Sequence, residues 1–226
     1  MSQYLIEIQD LERFFAEGGG RLYVLQNLCL NVKRGECVVL QGISGSGKTT
    51  LLNLIAGIDR PDSGRILVGG EPVNKLSDRF LSIFRGRHVG MVFQHYHLID
   101  HLSVSQNVAV PLTAADMGFA EQRQRVRQAM ALANISHKAD STAATLSGGE
   151  KQRVAIARAL ASDPEIILCD EPTANLDRAN AEALIVLFEK LHNMGKTVII
   201  ATHDPRFLSL PFASRVLRME QGEIVS

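Results

Sequence analysis

Residues Gly42-Ile43-Ser44-Gly45-Ser46-Gly47-Lys48-Thr49 constrain the fold more than any other stretch. They follow the apolar run Cys37-Val38-Val39-Leu40 and lead into Thr50-Leu51-Leu52-Asn53-Leu54-Ile55-Ala56, which has the texture of a helix. A buried strand, a glycine-rich turn and a helix start, in that order, satisfy the pattern GxxxxGK[ST]. Glycines without a Cβ let the backbone curl and turn successive N–H groups inward, toward the positive end of the helix dipole. That concavity fits a polyphosphate. Gly42 through Thr49, with Thr50, are the candidate nucleotide contacts. Lys48 would meet the β- and γ-phosphates as a point charge, and the Thr49 hydroxyl would ligate a bridging Mg²⁺. ATP or GTP is the expected ligand.

At 226 residues the chain suits one α/β domain, or a domain with a subdomain. Hydrophobic residues at 46% and charged residues at 21% exclude a disordered chain. Lys+Arg and Asp+Glu are both 24, without the basic excess of a non-specific nucleic-acid binder, so no nucleic-acid partner is expected. Cys29, Cys37 and Cys169 each adjoin apolar residues and have no metal-ligand spacing. They read as buried free thiols of a reducing compartment. Glu7, Asp10 and Glu12 stand where a signal peptide would be basic and then apolar. No apolar run approaches the ~20 residues of a membrane helix, so a cytoplasmic chain is expected, with any membrane attachment through a partner.

Tyr4–Ile8 alternates as a half-exposed strand, Gly18-Gly19-Gly20 forms a hairpin-like loop, and Leu22–Val32 resumes the strand, an antiparallel opening. Gly57 and Pro61 stop the helix after the phosphate loop, and Gly64–Val68 with Gly69-Gly70 reads as a strand and tight turn. Val89–Phe93 is a short strand ending at Gln94. From there to Leu160 the texture is helical, with Val126, Ala129, Met130 and Ala133 on one face. Ser147-Gly148-Gly149-Glu150 is a capping box before an amphipathic helix over Arg153–Ala161. Ile166–Cys169 and Thr197–Thr202 are strands buried on both faces, with a helix over Asn180–Met194 between them. Arg215–Met219 and Glu223–Val225 close as a hairpin. Strand, P-loop and helix, a helical insertion, then strand–helix–strand predict an α/β P-loop NTPase. Its parallel core sheet carries an N-terminal antiparallel β subdomain and an inserted helical subdomain.

Asp170-Glu171 ends the apolar run, where a P-loop NTPase needs carboxylates: Asp170 for Mg²⁺, Glu171 to polarise the attacking water. Leu146-Ser147-Gly148-Gly149-Glu150-Lys151-Gln152-Arg153 then resembles the signature of the ATP-binding cassette (ABC) ATPases. Physically it is a second helix N-terminus with exposed N–H groups, an anion site in its own right. The resemblance covers nearly the whole chain, 1–226, as a single nucleotide-binding domain with its helical subdomain at about 95–160. It implies that Ser147, Gly148 and Gly149 bind the ATP held by a partner subunit. It further implies that Gln94 ligates Mg²⁺ and senses the γ-phosphate, that Asp177 of Ala174–Asp177 lies in the loop crossing the dimer interface, and that His203 is the γ-phosphate switch. Phe15, or Phe14, would stack on adenine.

Within the family, Val92–Ile99 with Leu102-Ser103-Val104 and Asn107-Val108, and Glu171–Asp177, look like the lipoprotein-release and macrolide-export group. His95, His97, Asp100 and His101 depart from the residues expected there, in a segment that usually faces the membrane partner. They read as solvated or interface groups rather than a metal site. The implied function is the ATP-hydrolysing subunit of a membrane transporter. It would dock on an integral membrane permease at the inner face of the membrane and form a homodimer in the ATP state. The alternatives are an ABC ATPase driving a non-transporting signalling complex, and a soluble DNA-repair or translation ABC ATPase.

Overall fold

The computed structural model describes residues 3–17, 20–113, 115 and 117–225. Strands β1 (Tyr4–Glu17) and β2 (Gly20–Lys33) pair antiparallel from Tyr4 opposite Lys33 to Glu17 opposite Gly20. Gly18 and Gly19 of the expected loop lie outside the described residues. Next come β3 (Cys37–Gln41), α1 (Lys48–Ile55), β4 (Ser63–Val68) and the two-residue β5 (Glu71–Pro72). They are followed by α2 (Asp78–His88), β6 (Val89–Val92), α3 (Val104–Ala109), α4 (Phe119–Leu132) and α5 (Gly148–Leu160). The chain continues through β7 (Ile166–Asp170), α6 (Arg178–Asn193), β8 (Thr197–Thr202), β9 (Arg215–Glu220) and β10 (Glu223–Ile224).

The strands form two sheets. One is antiparallel in the order β2-β1-β4-β5, and the other runs β10-β9-β3-β8-β7-β6. From β9 to β6 the second sheet is parallel, and β10 turns back along its edge. Side chains alternate across a strand, so the parallel sheet feeds two cores. Val38, Leu40, Ile166, Leu168 and Ile199 pack with α1 and the antiparallel sheet. Cys37, Val39, Ile167, Cys169, Val198 and Ile200 pack with α3 to α6. Every residue of β7 and β8 is buried, as their unbroken apolar runs require. The mixed architecture matches the expected α/β P-loop NTPase with an antiparallel sheet and added helices.

Three details differ from expectation. Cys29 is exposed: Leu28 and Leu30 face the core, so the residue between them points outward, with its Sγ near Asp10. Cys37 and Cys169 are buried, and burial pushes the Cys37 thiol up to about 12. Residues 95–103 hold turns rather than helix, and the first helix of the insertion starts at Val104, capped by a Ser103–Gln106 box. Helix α2 has no counterpart in the sequence reading, since only Leu81 and Phe84 of its eleven residues are buried.

Candidate active site

The phosphate loop leaves β3 between two other pieces of chain. A Cβ on Gly42 would stand 2.5 Å from the Met219 carbonyl oxygen, and one on Gly47 would stand 2.7 Å from that of Val24. Gly47 also takes φ +98°, so neither position accepts a side chain without moving backbone. Ile43, Ser44 and Gly45 are exposed at the tip, Ser46 is buried, and Thr50 is half-buried in the first turn of α1.

Lys48 is only 5% exposed. Its ammonium donates to the carbonyls of Gly42 (2.7 Å) and Ile43 (3.0 Å) and stands 3.9 Å from Glu171 Oε1. Burial lowers its pKa, while Glu171 and Asp170 act to raise it. The Thr49 hydroxyl lies 2.9 and 3.0 Å from the two oxygens of Asp170, which comes from the end of β7. Burial raises the Asp170 carboxyl above the usual range, and the Thr49 hydrogen bond opposes this. A buried carboxylate beside a hydroxyl, at the foot of a phosphate loop, is an oxygen donor set suited to Mg²⁺.

Glu171 follows with φ +45°, a left-handed turn that ends the strand and sends its side chain across β8. Its Oε2 accepts from the Thr202 hydroxyl at 3.1 Å and the His203 N–H at 3.4 Å, and its Oε1 lies 2.9 Å from His203 Nδ1. Lys48, Thr49, Asp170, Glu171 and His203 therefore converge at the C-terminal ends of β3, β7 and β8. That is where ligands bind open parallel sheets. A cation against phosphate, a carboxylate–hydroxyl pair and a second carboxylate beside a histidine can together bind a nucleoside triphosphate and activate water.

Gln94 is exposed after β6. Its carbonyl accepts from Asn175 Nδ2 at 3.5 Å, and no hydrogen bond joins it to Thr49, Lys48 or Asp170 among the described residues. Beyond it, Tyr96 and His97 both take positive φ, and their carbonyls accept from the guanidinium of Arg158 on α5. Ser147 caps α5 through a complete capping box, with Glu150 held down to about 2 by the Ser147 N–H, Lys138 and the Ser147 hydroxyl. A Cβ on Gly148 would be 3.6 Å from the Asn175 carbonyl and the Tyr96 hydroxyl, and one on Gly149 would be 3.0 Å from Asn180. Asp177 caps α6 by accepting from the Asn180 N–H at 2.9 Å, which lowers its pKa. Ser147–Gly149 and Asp177 thus form a second cluster, with no hydrogen bond to the phosphate loop among the described residues. Phe15 is 48% exposed on β1, whereas Phe14 packs against Tyr23 and Arg21.

Sequence reasoning missed Thr202, which anchors Glu171, and the pair Thr173–Asp204, joined at 2.8 Å with Arg206 holding Asp204 at about 2. Thr202 adjoins His203, but only the sheet order brings it to Glu171.

The comparisons agree with this geometry. The profile of the family described as ABC transporter matches residues 25–174. The chain is 39% identical over 224 residues to the lipoprotein-releasing system ATP-binding protein LolD of Chromohalobacter salexigens, covering 99% of this chain and 94% of that protein. It is 38% identical over 226 residues to the macrolide export ATP-binding/permease protein MacB of Vibrio parahaemolyticus, covering 100% of this chain and 34% of that protein. The chain thus spans about a third of the length of its macrolide-export relatives. Its fold is similar to the dimeric ABC transporter cassette MJ0796, with TM-score 0.90 and 37% identity over 98% of this chain and 97% of that one. MJ0796 has also been solved in a post-hydrolysis state bound to ADP and Pi, with the same TM-score. The expected resemblance to the lipoprotein-release and macrolide-export group therefore holds: the chain belongs to the ABC transporter family and is one of its ATP-binding, ATP-hydrolysing cassettes.

Proposed function

We propose that this cassette powers an integral membrane permease of the lipoprotein-release or macrolide-export type, through closure of two copies over ATP. The observation that carries the reading is Glu171, anchored by Thr202 and His203 and 3.9 Å from Lys48. From there it can orient or deprotonate the water that attacks the γ-phosphate. Lys48 and the loop N–H groups of Gly42–Thr49 bind the phosphates, with Thr50 at the first turn of α1, Phe15 stacks on adenine, and His203 contacts the γ-phosphate. Thr49, Asp170 and Gln94 would hold Mg²⁺, which when bound neutralises charge on the β- and γ-phosphates.

The N–H groups of Gly148 and Gly149, in the first turn of α5, have no acceptor among the described residues. This supports a composite site in which Ser147, Gly148 and Gly149 bind the γ-phosphate held by the other copy, with Asp177 at the interface. The cassette acts as one nucleotide-binding domain over 1–226, with residues 95–160 as its helical subdomain. An apolar groove lined by Ile58, Val89, Met91, Phe93, Val110 and Pro111 suits a permease segment. No helix among the described residues is long and apolar enough to cross a membrane. In this reading the permease holds the cassette at the inner face of the membrane.

The test is Glu171→Gln, which keeps size and hydrogen bonding but removes basicity. Turnover should fall by roughly two or more orders of magnitude while ATP still binds. Light scattering should then show a dimer with ATP and a monomer with ADP, and adding Ser147→Arg should prevent the dimer. An ATP-loaded Glu171→Gln protein that stays monomeric at tens of micromolar, or one that hydrolyses at the wild-type rate, would sink the composite site.

A further inference from the structure

Arg13 and Phe15 lie two residues apart on β1, so their side chains leave the same face. The Arg13 guanidinium carbon stands 4.7 Å from the Phe15 ring centroid. Its nitrogens are pinned on their other sides. Nε and Nη2 reach the two oxygens of Asp59 at 3.0 and 3.2 Å, and Nη1 reaches Asp62 at 3.1 Å. Asp62 also accepts the N–H of Phe14 at 2.9 Å, which ties the carboxylates to the strand itself. Three hydrogen bonds to two carboxylates leave the guanidinium little freedom to swing, so one face of the Phe15 ring meets a fixed cation. With the ring 48% exposed, much of its surface remains open.

The site lies within reach of the phosphate loop. Gly47 packs on the Val24 carbonyl, and Leu22, two residues along β2, pairs with Phe15. Phe15 is thus one interstrand step and a short stretch of β2 away from the strand residue on which the phosphate loop packs. Asp59 and Asp62 sit on the loop after α1, whose first residue is Lys48.

We propose that Arg13 is a positioning residue for nucleotide binding. Pinned by Asp59 and Asp62, it backs the Phe15 ring and holds it as a fixed platform for the base. The inference rests on Phe15 as the base-stacking residue, as read above. A ring already held in place loses less freedom when a base stacks on it, so the clamp strengthens binding of the base alone. Because the clamp is anchored on the loop after α1, base and phosphates are read by one connected unit.

The test compares binding of ATP with that of inorganic tripolyphosphate, which carries phosphates and no base. Arg13→Gln should weaken ATP about two- to fivefold and leave tripolyphosphate unchanged, with Arg13→Lys recovering only part of the loss. The chain has no tryptophan, so Phe15→Trp gives a single reporter. ATP should quench it, tripolyphosphate should not, and adding Arg13→Gln should reduce the quench. Asp59→Asn, which leaves Arg13 with Asp62, should move the same ATP-to-tripolyphosphate ratio in the same direction and serves if Arg13→Gln fails to fold. Equal losses for both ligands, or a ratio unmoved by Arg13→Gln and Asp59→Asn while Phe15→Ala still weakens ATP, would overturn the role of Arg13. A Phe15→Ala protein with unchanged ATP affinity would overturn the base platform, and a wild type that binds neither ligand would overturn the phosphate-loop reading and this inference with it.

Discussion

Asn107 is a fully buried polar side chain whose removal has a cost that can be worked group by group. Its Oδ1 accepts the N–H of Ile99 at 2.8 Å, and its Nδ2 donates to the carbonyls of Ile99 (3.0 Å), Ser103 (3.1 Å) and Leu102 (3.4 Å). The three carbonyls have second donors in the N–H groups of Leu102, Asn107 and Ala143 respectively. The Ile99 N–H has none. Asn107→Ala therefore orphans one N–H, at about 1–3 kcal/mol, and loses amide donations worth about 1 kcal/mol net, together about 2–4 kcal/mol. Asn107→Asp keeps the bond to Ile99 but turns a carboxylate toward three carbonyl oxygens. It should be at least as unstable as Asn107→Ala at pH 7. Burial and repulsion raise that new carboxyl's pKa in the folded state. Its penalty should shrink as pH falls through the raised value, the opposite of an ordinary paired carboxylate. Urea unfolding at 25 °C with unchanged m-value measures each cost. Asn107→Ala costing under about 1 kcal/mol, or Asn107→Asp as stable as wild type at neutral pH, would refute the reasoning.

Other substitutions probe other links. A Cβ at Gly90 of β6 would stand 2.3 Å from the Ala159 carbonyl on α5, so Gly90→Ala should destabilise by about 1–3 kcal/mol or more in urea; Gly86→Ala on α2, with nothing within 4 Å, should be neutral or stabilising. Glu150 has a folded pKa of about 2 against an ordinary 4.5, so its contribution is present above about pH 4.5 and is lost as pH falls toward 2. Subtracting the Glu150→Gln stability profile from that of wild type should isolate a difference confined to that window, and a flat difference would remove the cap from the account. Asp170→Asn should raise the Mg²⁺ needed for hydrolysis while changing metal-free ATP binding little; equal losses with and without Mg²⁺ would make Asp170 structural.

What was legible in the sequence was what is local in the chain. The strand before Gly42, the buried run before Asp170 and the Ser147–Glu150 box each carry their whole signal within about ten residues, and each took the expected form. Helix α2 did not, because Arg79, Arg85 and Arg87 dilute a period that rests on two buried residues. Cys29 was misjudged because its neighbours in sequence are apolar while its strand alternation faces it outward. The tethers that aim the site were not legible at all. Arg158 to residues 96 and 97, Thr202 to Glu171, and Arg13 to Asp59 join positions 31 to 62 residues apart, pairings that exist only once the sheets are assembled.

The strand order also has a consequence for how the chain is made. β3 pairs with β8 on one side and β9 on the other, so Cys37 meets Val198, 161 positions later, and Val38 meets Arg215. The β1–β2 hairpin, by contrast, has its partner at hand as soon as residue 33 is present. At about 5–20 residues per second, the strand that presents the phosphate loop waits about 8–30 s on the ribosome with neither edge paired. A nascent chain stalled before Thr197 should therefore hold a protected first hairpin and a protease-sensitive Cys37–Thr49 segment that has no affinity for nucleotide. The phosphate loop thus depends on strands made long after it, and β8 also delivers Thr202 and the adjoining His203, whose hydrogen bonds hold Glu171.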